Sequence, residues 1–91
     1  MEPSSEMARA NQYYRACLKL SEQNLTDTRA LKIGKEAASI YISQARLADS
    51  PLDKQEYRKR ANQLLQRCEQ MSRAIKKAID SAVLKLISLS K

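Results

Sequence analysis

Asp49-Ser50-Pro51-Leu52-Asp53 is the stretch on which the reading of this chain turns. Ser50 has the side chain of a helix N-cap. Pro51 stands at the first helical position, where a missing N–H costs nothing, and Asp53 places a carboxylate in the first turn, at the positive end of the helix dipole. A helix therefore begins here. Beyond it, residues 52–91 contain neither glycine nor proline. Tyr57, Ala61, Leu64, Cys68, Met71, Ile75, Ala78, Ala82, Leu86 and Leu89 recur there at steps of three and four. The spacing predicts an amphipathic helix, about 60 Å long if unbroken.

Upstream, Ala30, Leu31, Gly34, Ala37, Ala38, Tyr41, Ile42, Ala45 and Ala48 form a broad, small-residue face over about Thr28 to Ala48. Ile33, Ile40 and Leu47 make a second line, so this helix is expected to pack on two sides. The polar run 23–28 reads as a connection whose side chains cap the next helix. Before it, Met7, Ala10, Tyr14, Cys17, Leu18, Ser21 and Leu25 mark a first amphipathic helix, with Ser4 or Ser5 as its cap and Glu6 in its first turn. The expected fold is all-α: a flexible leader at 1–5, an antiparallel three-helix bundle over 6–72, and then residues 73–91.

That last segment is the open question. Two helices of about 20 residues cover only half of a 40-residue helix, leaving Ile75, Ile79, Val83, Leu86 and Ile87 without a partner. Residues 72–91 hold Arg73, Lys76, Lys77, Lys85 and Lys91 against Asp80, a net +4 of the chain's +7. Three explanations stand: the segment breaks and returns as a short fourth helix, it pairs with another chain, or it lies on an acidic surface.

Composition excludes much chemistry. Ninety-one residues with no histidine and one glycine offer no usual general base, no phosphate-cradling glycine loop and little room for an enclosed active site. No catalytic, metal-binding or cofactor-binding residue is assigned, and an enzyme is not expected. Cys17 and Cys68 are 51 residues apart without CxxC spacing, and each falls on an apolar stripe. They read as packed, reduced thiols, with a disulfide joining two helices as the other possibility. The polar start of the chain shows no signal peptide, and no run of 18 apolar residues is present.

Two stretches resemble the MIT domain, the microtubule-interacting and trafficking module. Thr28-Arg29-Ala30-Leu31, with Ala37 further on, is similar to the family's "EAL" opening and its later small residue. Leu64-Leu65-Gln66-Arg67-Cys68-Glu69-Gln70-Met71 is similar to its "YLxRAExL" signature. The likeness covers roughly residues 7–72. Gly34 stands where the family usually has an aromatic residue, Cys68 where it has alanine and Ser72 where lysine is typical.

The resemblance implies a helical, TPR-like hairpin bundle whose inter-helix grooves bind C-terminal tails of ESCRT-III subunits, as short helices or as extended segments. Beside the core line of the third helix run Arg58, Asn62, Leu65, Glu69 and Ser72, a single leucine among polar groups, which suits a docking stripe. Leu65 would fit between partner leucines, Glu69 would pair with a partner cation and Arg58 with a carboxylate. Ala38, Ile42 and Ala45 form the groove's other wall or belong to the bundle core. The run Arg58-Lys59-Arg60 also reads as an ordinary solvated face.

The leading expectation is thus a cytoplasmic adaptor in endosomal sorting and protein transport, monomeric in isolation and recruited to endosomal or other membranes. The alternative is a polyanion binder that meets tubulin or acidic membrane through its basic C-terminal helix. Nucleic acid fits poorly, because the tyrosines lie mostly on core-facing lines. A third possibility makes Ile75, Ala78, Ala82, Leu86 and Leu89 an oligomerisation seam.

Overall fold

The computed structural model describes residues 5–90. Three helices follow in chain order, α1 (Ser5–Gln23), α2 (Thr28–Leu47) and α3 (Pro51–Leu89), with no strand among the described residues. The caps explain the boundaries. Ser50 Oγ accepts a hydrogen bond from the Asp53 N–H at 3.4 Å, with Pro51 in the first turn. Asp27 caps α2, its carboxylate accepting from the N–H groups of Arg29 (2.9 Å) and Ala30 (3.2 Å). Asn24 Oδ1 accepts from the backbone and hydroxyl of Thr26 (3.0 and 2.7 Å), closing the first connection. Such short connections force consecutive helices to run antiparallel. Ser5 is already helical and is neither part of a leader nor a cap outside the helix; Ser4, the other candidate cap, lies outside the described residues.

Helix α2 is the middle element, packed against both α1 and α3, which touch each other much less. Its small residues make this possible. Ala30, Gly34, Ala37 and Ala38 are buried and let both neighbours approach, while Tyr41, Leu64 and Met71 fill the remaining space. The second apolar line of α2 is only partly used. Ile40 is buried and Ile33 half-buried, but Leu47, at the helix end and beyond the reach of α1, is 73% exposed.

Helix α3 is one unbroken element of 39 residues in a molecule 64 Å long and under 20 Å thick. This overturns the fold-back into a fourth helix. No residue in the segment stops a helix, and the polar pair Asp80-Ser81 stays within it. Packing ends well before the helix does: Met71 is buried, Ala74 and Ile75 are half-buried, and every residue from Lys76 to Ser90 is exposed. About 20 Å of helix projects past the bundle.

Candidate functional site

On one flank of the bundle, α2 and α3 leave a shallow groove of about 360 Å³, lined by Lys35, Ala38, Ser39, Ile42, Ser43, Arg46 and Leu65. The helical repeat dictates the lining. Positions 35, 38, 39, 42, 43 and 46 share one side of α2, and Leu65 sits one residue past the fully buried Leu64, about 100° around the helix. Ala38 forms the floor, and Ile42 and Leu65, 37% and 45% exposed, form the walls. Lys35 and Arg46 place a cation toward each end. An apolar centre between cations has the shape and charge to receive a short amphipathic helix carrying acidic groups.

Of the residues singled out in the sequence, Ala38, Ile42 and Leu65 meet in this groove. Ala45 is buried behind it, at 2% exposure. Glu69 lies exposed on α3, where its Oε1 pairs with Arg73 at 2.6 Å, so any partner cation must compete with that contact. Arg58 and Asn62 line a different surface, a depression of about 770 Å³ bounded by α3 side chains alone. With no second element as a wall, that surface is the solvent face of one helix.

A polar network on the opposite flank escaped the sequence reading. Arg60 Nη1 donates to Asn11 Oδ1 at 2.9 Å and to the Tyr41 hydroxyl at 3.3 Å, while Nε donates to Glu56 at 3.2 Å. Its guanidinium lies 5.3 Å from the Tyr14 ring centre and 5.8 Å from that of Tyr41, a cation–π geometry. The Tyr41 hydroxyl donates to Asn11 Oδ1 (2.6 Å), and that of Tyr14 to Gln63 Oε1 (2.5 Å). Tyr41 also stacks on Tyr57 and meets the edge of Tyr14. The Tyr41 hydrogen bond, outweighing burial, holds the Arg60 guanidinium above its ordinary range. All three helices are pinned here. The available signal was position: Arg60 stands between Tyr57 and Leu64 on the rim of the core stripe, whereas Arg58 and Lys59 point outward.

The two thiols are free and buried, and both sulfurs lie over the position a Cβ of Gly34 would take. Burial first, then the neighbouring Cys68, pushes the Cys17 thiol from 9.0 up to about 11; burial raises Cys68 as well. An unfolded chain ionises these thiols near 9, while folded Cys17 keeps its proton until about 11. Folding stability is therefore full below pH 9 and falls as pH rises from 9 toward 11, by of the order of 2 kcal/mol. Denaturant midpoints at both ends of that window should show a smaller pH loss for Cys17→Ala than for the wild type. An equal loss would show that the Cys17 thiol is not its source.

Among the described residues, no cluster of histidine, cysteine or acidic groups could hold a metal ion, and no helix is long and apolar enough to cross a membrane. Compared with protein-family models, with curated proteins and with solved structures, the chain has no match in any of the three.

Proposed function

We propose that this domain is a protein-interaction module that takes up a short, acidic, amphipathic helix in the α2–α3 groove, the partner being the tail of an ESCRT-III-type trafficking subunit. It would thereby bring an attached protein to the membranes where such subunits assemble. One observation carries this reading: exposed Ile42 and Leu65 flank a buried alanine floor between Lys35 and Arg46. The resemblance of residues 7–72 to MIT domains supplies the partner class. A single helix in so shallow a groove gives a small interface, so binding is weak for one site and is raised by polymeric targets.

The test is a two-dimensional NMR titration with acidic, leucine-containing ESCRT-III tail peptides at low and moderate salt. Saturable shifts should cluster on residues 35–46 and on α3 around Leu65. Leu65→Asp should weaken binding by about tenfold or more, with an unchanged unfolding midpoint, since Leu65 is half exposed. Shifts confined to residues 73–90 that vanish with salt would replace this function with polyanion binding through the basic helix.

A further inference from the structure

The chain has two cysteines, 51 positions apart, and the fold brings both sulfurs to one point. The place a Cβ of Gly34 would take is 2.6 Å from Cys17 Sγ and 2.9 Å from Cys68 Sγ, so the sulfurs are no more than about 5.5 Å apart. They hydrogen-bond each other, and Cys68 Sγ also reaches the Leu31 carbonyl at 3.8 Å. Gly34 has ordinary helical backbone, so what it contributes is the missing side chain. The space it leaves is where the two sulfurs face each other. A disulfide needs them about 2 Å apart, and a rotamer change of about 120° carries a sulfur roughly 3 Å, so side-chain rotation covers the gap.

The two thiols are not equivalent. Cys68 is 4% exposed and Cys17 is wholly inaccessible. Burial raises both thiols; at Cys68 the hydrogen bond from Cys17 and the Lys35 cation oppose that rise, whereas at Cys17 the same hydrogen bond adds to it. Cys68 is thus the sulfur that a small oxidant reaches and the one that ionises more readily. Complete burial of Cys17 keeps its sulfur from a second chain, so its available partner is Cys68.

We propose that Cys17 and Cys68 are a peroxide-responsive thiol pair that forms a reversible disulfide across Gly34, clasping α1 to α3. The Cys68 thiolate attacks the peroxide, whose O–O bond breaks to leave Cys68 sulfenic acid and hydroxide, and the hydroxide takes up the proton that Cys68 released. The Cys17 sulfur then attacks the Cys68 sulfur, and its proton leaves with the sulfenic hydroxyl as a second water. Two thiols are oxidised by two electrons and one peroxide is reduced to two waters. The bond spans the two helices that otherwise touch each other least and closes a loop containing all of α2. It does not depend on what the α2–α3 groove binds.

The test treats the reduced full chain with hydrogen peroxide, blocks remaining thiols with iodoacetamide in denaturant, and maps the cysteine peptides without reduction. The expected result is a Cys17–Cys68 crosslink within one chain, about 2 Da lighter than the two reduced peptides and reversed by a dithiol. The oxidised chain should unfold at a urea midpoint higher by about 1 M or more, because the crosslink restricts the unfolded state. In Cys17→Ala, dimedone should trap a sulfenic acid on Cys68, while Cys68→Ala should give none on Cys17. Two cysteines still open to alkylation, or oxidised to sulfinic acid without a crosslink, would overturn the proposal. So would a disulfide between chains, or an oxidised midpoint below the reduced one, which would mean that the bond forms only after unfolding.

Discussion

Tyr41→Ala should remove about 3–5 kcal/mol of folding stability, the cost of emptying a fully buried aromatic site. Its ring is inaccessible to solvent and touches the rings of both Tyr14 and Tyr57. Its hydroxyl ties Asn11 on α1 to Arg60 on α3. A domain of this size has only about 5–14 kcal/mol to lose, so the variant should be close to unfolding in the absence of denaturant. Tyr41→Phe keeps the ring and should cost about 1 kcal/mol, the net value of its hydrogen bonds. Urea unfolding of both variants separates packing from polarity. A loss below about 1.5 kcal/mol for Tyr41→Ala would show that the network does not clamp the bundle.

The second large effect is expected at Gly34, where two opposing contributions can be compared. Alanine is favoured over glycine within a helix by about 1 kcal/mol, and Gly34 has ordinary helical backbone, so conformation gives no reason for glycine. Space does. A Cβ on residue 34 would lie 2.6 Å from Cys17 Sγ and 2.9 Å from Cys68 Sγ, well inside contact distance. The sulfurs belong to the two helices that flank α2, so relieving both contacts moves α1 and α3 apart. Overpacking of this kind costs about 1–3 kcal/mol. Gly34→Ala should therefore lose about 1–2 kcal/mol despite its better helix propensity, and Gly34→Leu should not fold. Adding Cys17→Ala to Gly34→Ala should recover part of the loss. Stabilisation by Gly34→Ala alone would mean that the thiols rotate aside at little cost.

The elements were legible where local chemistry decides them. Ser50, Pro51 and Asp53 mark the start of α3 without reference to the rest of the chain, and the small residues of α2 announce a helix packed on two sides. The course of residues 73–91 was not legible, because folding back and running straight expose the same stripe until something fixes the backbone. What fixes it is the lack of any residue that would make a turn cheap. The groove was half legible. Leu65 and Ile42 stand beside core positions in the helical repeat, and helix periodicity places them correctly. Arg58 and Asn62 stand on the same line of α3 as Leu65, one to two turns nearer its start, and only the folded structure shows that no α2 residue joins them in lining a surface. Arg60 was hidden in a run of three cations, since its role depends on how α1 lies against α3. The resemblance gave an aromatic residue at the position of Gly34; here two thiols occupy the room such a ring would need.

The unbroken backbone of α3 joins segments of very different local stability. A free peptide of some 14 residues is barely helical in water, because nucleating the first turn is costly. Residues 76–89 avoid that step, since the packed turns before them supply the nucleus and each further turn only propagates. Amides as far as about residue 75 are then released to solvent only by global unfolding, and those beyond by fraying from the C-terminal end. Hydrogen exchange along this one helix should fall into two classes, divided near Ile75.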